Sequence, residues 1–173
     1  MTHHVRDATE ADLESVSEIK VHNWAETYGP LLGDAVIAPF LDQPAQLAAL
    51  REQVADPDTL LLVADDGSEV VGFALTFVGR EPVPWLESLH VVAAVRGQGV
   101  GTLLIRATAA RLLARGHTSM ALGVIEGNDD AARFYENLGG IRVRTEPVTF
   151  TAGVSHWVYR WPDLSTLSEL RRN

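Results

Sequence analysis

Val91-Val92-Ala93-Ala94-Val95-Arg96-Gly97-Gln98-Gly99-Val100-Gly101-Thr102 is the stretch whose reading decides the fold. An apolar strand runs into a glycine-rich turn, and the turn opens a helix. Glycines at 97, 99 and 101 let the main chain come close to a ligand, and the first turn of the helix presents amides that no carbonyl of that helix can satisfy. Those amides, together with the partial positive charge of the helix end, attract an anion such as a phosphate.

Spacing narrows the kind of cradle. A nucleoside-triphosphate loop of the Walker type needs a lysine directly after its last glycine, and the chain's only lysine is Lys20. A dinucleotide site needs Gly-x-Gly-x-x-Gly and an acidic residue closing a second strand about 20 residues on, and neither is present. What fits is Arg96-x-x-Gly99-x-Gly101 after the strand Leu86-Glu87-Ser88-Leu89-His90-Val91. A plain strand-to-helix connection needs one glycine rather than three.

Upstream, His3 to Asp7 reads as a short strand, and Thr9 as the cap of a helix whose apolar positions Leu13, Val16 and Ile19 recur at helical spacing. Trp24 and Tyr28 continue from it one turn apart. Residues 29–44, with their prolines and short apolar pieces, read as a loose and mobile helical substructure. Pro44 to Val54 reads as a helix carrying Leu47, Leu50 and Val54 on one stripe. Leu60 to Asp65 and Val70 to Val78 read as strands joined by a hairpin at Asp66-Gly67.

Downstream, the spacing predicts a helix from Gly99 to Arg115 with Val100, Leu103, Leu104, Ala107 and Leu112 turned inward and Gly116 as its stop. Ser119 to Ile125 follows as a strand, then a short helix over Asp129 to Leu138 capped by Asn128, then strands at Ile141 to Val143 and Ser155 to Trp161. The succession is α/β (α+β) around one mixed sheet.

The second informative block is Asn128-Asp129-Asp130-Ala131-Ala132-Arg133-Phe134-Tyr135-Glu136-Asn137-Leu138-Gly139. Together with Arg96-x-x-Gly99-x-Gly101, it resembles the signature of the GNAT family of N-acetyltransferases, Asn-x-x-Ala-x-x-Phe-Tyr-Glu-x-x-Gly behind a pyrophosphate loop. The match of the two motifs spans Trp85 to Val143. Trp24-x-x-x-Tyr28 and the closing Tyr159-Arg160-Trp161 extend the resemblance over nearly the whole chain.

The resemblance implies a single domain over 1–173, with a central sheet of about seven strands splayed between the fourth and fifth and helices on both faces. It also implies acetyl-CoA as acyl donor. Backbone groups of Leu89 and Val91, with His90 between them, would pair with the pantetheine arm, and Arg96, Gly97, Gln98, Gly99, Val100, Gly101 and Thr102 would hold the pyrophosphate. Asn128 and Tyr135 would line the wall near the thioester sulfur, and Trp24 and Tyr28 would lie against the acceptor. Two departures stand out. Gly123 occupies the position where members that acetylate protein N-termini carry a glutamate, and Gly140 replaces the aromatic that usually follows the motif's last glycine.

Amine acetylation needs a base, because an alkyl amine with a pKa near 10 arrives protonated. In period-2 register Glu87 shares the face of Leu89 and Val91, unless a bulge intervenes, and is the candidate base. His90 is the competitor, aimed by alternation at the opposite face. Tyr135 is the expected proton donor to the leaving thiolate, and a backbone amide at Leu89 or Val91 the expected donor to the developing oxyanion.

Composition bounds the rest. The chain has 173 residues, is 46% hydrophobic and 21% charged, and carries a formal charge of −9, which argues against a nucleic-acid partner. It lacks cysteine, which removes disulfides and thiolate chemistry. No apolar run reaches the roughly 20 residues of a membrane span, so the expected location is cytoplasmic, without a membrane partner. The expected activity is acetyl transfer to a primary amine of a small molecule, in a possible homodimer. The alternatives are acetylation of a protein lysine or N-terminus, and a non-catalytic acyl-CoA-binding module.

Overall fold

A computed structural model of the protein describes residues 2–169. Seven strands form one mixed sheet in the order β1-β2-β3-β4-β5-β7-β6. They are β1 (His4–Asp7), β2 (Thr59–Asp65), β3 (Val70–Phe77), β4 (Trp85–Val91), β5 (Met120–Ile125), β6 (Ile141–Pro147) and β7 (Ser155–Trp161). The helices are α1 (Leu13–Asn23), α2 (Gly29–Leu32), α3 (Asp34–Ile37), α4 (Gln43–Val54), α5 (Val100–Ala114), α6 (Asp129–Asn137) and α7 (Ser165–Glu169).

β2 and β3 are nearly continuous apolar runs because both faces of the sheet are covered. Alternation sends Leu60, Leu62 and Ala64 to a core shared with Val100, Leu104, Ile105, Ala109 and Leu112 of α5. Leu61 and Val63 face the other way, into a core with Leu13, Val16 and Ile19 of α1 and Leu50 of α4. The β2–β3 connection is the predicted turn, in which the Asp66 carboxylate accepts from the amides of Ser68 at 2.9 Å and Glu69 at 2.8 Å.

β4 and β5 run parallel but share one paired position, Trp85 with Ala121, held by the Ala121 amide on the Pro84 carbonyl at 3.0 Å. Beyond that pair the strands part, which is the expected splay between the fourth and fifth strands.

Several local expectations are corrected. Thr9 caps a 3-10 turn over Glu10–Asp12 rather than α1 itself, and its amide donates to the Asp12 carboxylate at 2.8 Å. Leu103 is 38% exposed; Val100, Leu104 and Leu112 are buried as read, Ala107 packs half-buried against the core, and Ile105, Thr108 and Ala109 are buried with them. β6 runs to Pro147, four residues past the predicted strand, because it follows β7 as an edge. Residues 29–44 are helical as read, in α2, α3 and a 3-10 turn over Ala38–Leu41, with α4 starting at Gln43.

Candidate active site

The splay opens a cavity of about 670 Å³ between β4 and β5, bounded by the turn before α5, by α6 and by the end of α1. Pairing decides what β4 offers to it. Gly72 opposes Val91 and Ala74 opposes Leu89, while the next hydrogen bond runs from the Val92 amide to the Val71 carbonyl. In an antiparallel ladder that pattern turns the backbone polar groups of Leu89 and Val91 away from β3, toward the gap. Both residues line the cavity.

The turn adopts the backbone its glycines allow. Gly97 and Gly99 have φ of +81° and +82°, a left-handed region that costs other residues about 1–2 kcal/mol. Gly101 already lies within α5 and answers a different need: a Cβ there would sit 3.2 Å from Phe134 Cζ, so its smallness lets α6 approach α5. The amides of Gly99, Val100, Gly101 and Thr102 have no carbonyl partner among the described residues, because the helical ladder begins with Leu103 donating to Gly99. The Gln98 amide is not free as expected; it donates to the Val95 carbonyl at 3.3 Å.

Arg96 is the larger surprise. Its guanidinium does not extend over the turn but reaches back to the end of α1, the helical turn after it and the end of β4, with Nη2 donating to Asn23 Oδ1 at 3.0 Å, Nη1 to Glu26 at 2.8 Å and Nε to the Val91 carbonyl at 3.1 Å. Asn23 Nδ2 donates to the same carbonyl at 3.1 Å. The Val91 carbonyl is therefore engaged by side chains, and the amide of Val91 and both polar groups of Leu89 remain for a ligand.

The expected register of Glu87 is also overturned. Leu75 pairs with Ser88 and Thr76 with Leu86, so Glu87 is the extra residue of a β-bulge. It lines the cavity, but its carboxylate accepts from the indole nitrogen of Trp85 at 2.8 Å and lies 4.0 Å from Arg80. Its charge is felt by Lys20 of α1, whose ammonium pKa burial lowers and Glu87 partly restores. The bulge thus turns Glu87 toward the α1 side of the sheet, away from the Leu89 and Val91 face.

His90 faces α1 as alternation requires, its ring centroid 5.4 Å from that of Phe73 and its Nδ1 3.4 Å from Asn23 Nδ2. Burial, and then the charges of Lys20 and Arg96, push its pKa down to about 3. A group that sheds its proton so readily is a weak base for an ammonium ion.

On the opposite wall, Asn128 caps α6 by accepting from the Ala131 amide at 3.4 Å, and Tyr135 projects into the cavity from the same helix. Burial, with the neighbouring Tyr28 adding to it, raises the Tyr135 hydroxyl pKa far above its usual value, so the hydroxyl stays a donor. No acceptor meets that hydroxyl among the described residues.

The two expected acceptor contacts separate. Tyr28 lines the cavity; burial raises its hydroxyl pKa and the Asn128 side chain draws it back. Trp24 instead joins an aromatic cluster above it, with ring centroids 4.5 Å from Phe40, 4.6 Å from Tyr28 and 5.9 Å from Phe150. Phe150 comes from the β6–β7 connection, so this cluster ties that connection to the segment after α1.

Comparison with known proteins agrees with this geometry. A model of the acetyltransferase (GNAT) family matches residues 19–140. The chain belongs to that family. As a GNAT member it is an acyltransferase, and its similarities are spread accordingly. It is 25% identical over 128 residues to an uncharacterized N-acetyltransferase of Mycobacterium bovis, covering 74% of this chain and 82% of that one. It is 37% identical over 79 residues to the thialysine N-epsilon-acetyltransferase of Mus musculus, covering 42% of this chain and 45% of that one. In fold it is similar to the PaiA N-acetyltransferase of Thermoplasma acidophilum, solved in complex with coenzyme A, with a TM-score of 0.77 and 20% identity over 92% of this chain and 98% of that one.

At both departures noted in the sequence, a side chain from β7 takes the space. The space above Gly140 is filled by Trp161, whose ring would come within 2.8 Å of a Cβ there. The space above Gly123 is filled by His156, a residue that the motifs do not point to. Among the described residues no helix is long and apolar enough to cross a membrane, and no group of acidic or histidine side chains is arranged to hold a metal ion.

Proposed function

We propose that the protein transfers an acetyl group from acetyl-CoA to the primary amine of a small molecule. The observation that carries this reading is the run of unpartnered amides at Gly99, Val100, Gly101 and Thr102, set at one end of a cavity whose other end lies between two parted strands. These residues fit the donor: the amides suit its pyrophosphate, and the gap-facing groups of Leu89 and Val91 suit the amides of its pantetheine arm as an added strand would. Bound there, acetyl-CoA supplies a thioester carbonyl open to attack.

The chain's residues do the rest. Glu87 draws the acceptor's ammonium to the α1 side of the gap, where the ammonium gives up its proton. The amide of Leu89 or Val91 donates to the oxygen that gathers charge. Tyr135, held protonated by burial, donates to the sulfur as it leaves. Attack is direct, without an acyl-enzyme. Arg96 and Asn128 hold the two walls, His90 backs the α1 side, and Gln98 braces the turn through its amide on the Val95 carbonyl.

The aromatic cluster of Trp24, Tyr28, Phe40 and Phe150 joins the cavity at Tyr28, and a closed aromatic wall there suits a small amine better than a polypeptide segment. The name of the murine relative, whose acceptor is thialysine, agrees with that choice. We read residues 1–173 as one domain, cytoplasmic, and a homodimer joined at its exposed β6 edge, where Ile141 is 53% exposed and Val143 is 47% exposed. Incubation with acetyl-CoA and a panel of small amines is expected to release free CoA thiol with at least one of them. Binding of CoA in calorimetry without release for any amine, peptide or protein lysine would leave a binding module and overturn the transferase reading.

A further inference from the structure

Gly123 and His156 share one space. A Cβ on Gly123 would meet His156 Nδ1 at 2.4 Å and Cε1 at 2.8 Å, so the imidazole stands where a side chain of β5 would begin. Leu122 and Val124 pack into the core under α5, so alternation puts Gly123 on the α1 face, where it lines the cavity. The His156 ring centroid is 5.9 Å from that of Trp85, the residue that donates to Glu87. A titratable side chain from β7 therefore stands on the α1 face directly behind the cavity wall at Gly123, across the gap from Glu87, which lines the cavity from the other half of the sheet.

The orientation of the ring is fixed by Glu146 on β6, whose Oε1 lies 3.0 Å from Nε2. Hydrogen bonds from His156 and Arg144 hold the Glu146 carboxyl below the usual range, so it stays ionised and can only accept. Nε2 then carries the hydrogen, and Nδ1 keeps a lone pair. No donor reaches Nδ1 among the described residues, and the side chain remains 16% exposed. A carboxylate that orients an imidazole by one nitrogen and leaves the other to accept a proton is the arrangement general bases use.

We propose that His156 is the proton acceptor of the reaction, taking the first proton of the acceptor ammonium on Nδ1; this rests on the acetyl-transfer reading above. The ammonium N–H bond breaks, its electron pair stays on nitrogen, and the proton bonds to Nδ1 while Nε2–H remains on Glu146. The nitrogen's second proton ends on the CoA sulfur as the carbon–sulfur bond breaks. One proton per turnover then leaves His156 for solvent. Glu87 keeps the task of drawing the ammonium in.

Histidine-selective 15N NMR of the free protein is expected to show hydrogen on Nε2 and none on Nδ1 of the neutral His156 ring, and to show that preference weakened in E146Q. In kcat/KM against pH, H156Q, whose amide can still donate to Glu146, is expected to lose roughly 10²-fold and the rising limb of the unaltered protein's profile. H156A is expected to recover activity with added imidazole, while E87Q keeps the limb. An Nδ1–H tautomer, or H156Q with the limb unchanged and CoA binding intact, would overturn the role of His156 and leave the acetyl-transfer reading standing. Failure of the unaltered protein to bind CoA would overturn both.

Discussion

Arg96 Nη2 lies 3.0 Å from Asn23 Oδ1, so the residue at the head of the phosphate turn is also the one that clasps the end of α1. The same guanidinium holds Glu26 and the Val91 carbonyl. Replacement as R96Q is therefore expected to raise KM for the acceptor amine at least as much as KM for acetyl-CoA. Initial rates with both substrates varied will decide this, since an arginine serving phosphates alone would raise only the donor's KM.

Tyr135 and Glu87 face the gap from opposite walls with separate duties. Y135F is expected to lower kcat by about 10²-fold, and E87Q to lower kcat/KM by about 10²–10⁴-fold, with CoA affinity nearly unchanged in both. Calorimetry with CoA beside the thiol-release assay distinguishes lost chemistry from lost binding. Full turnover by either variant would remove that residue from the mechanism.

Gly99 has φ of +82° and a side with no atom close enough to meet a Cβ. The cost of G99A is thus conformational rather than steric, about 1–2 kcal/mol, and it falls on the turn that offers the amides. We expect a lower thermal midpoint and weaker CoA binding together. A variant that loses stability but binds CoA as before would show that the amides of this turn do not hold the donor.

Asp12 sets a stability limit in acid. Arg6 donates to it at 2.7 Å and 3.0 Å, and this pair, with the Thr9 amide and against the cost of burial, brings the carboxyl from 3.8 down to about 2. Its folded pKa is depressed, so the stability it supplies is fully present above about pH 4 and is lost as pH falls toward 2. The difference is on the order of 2 kcal/mol for a side chain only 9% exposed. D12N is expected to lose that amount at pH 7 in urea unfolding and to show a flatter acid limb; an unchanged midpoint would refute the pairing.

The order of elements and the cradle were legible in the sequence because each rests on local chemistry: two glycines that need left-handed backbone, a capping asparagine, an alternating strand. Glu87 was misplaced because period 2 holds only while the ladder is regular, and a bulge is decided by pairing with β3. Leu103 was misplaced because helical spacing marks a stripe wider than the contact; which flank of α5 meets the sheet depends on how the helix lies across it. Arg96 was assigned by motif position, whereas its partners Asn23 and Glu26 lie some seventy residues earlier. His156 had no signal at all, because its meaning comes from a missing side chain at Gly123 on another strand.

Trp85 and Ala121 are the one place where the fourth and fifth strands hold hands. A molecule built as two leaves on so short a spine gains a second fastening whenever a ligand lies along the seam. Filling the seam should therefore stiffen the whole body rather than one pocket, and amide protons far out on β2 and β7 should slow their exchange together when donor is added.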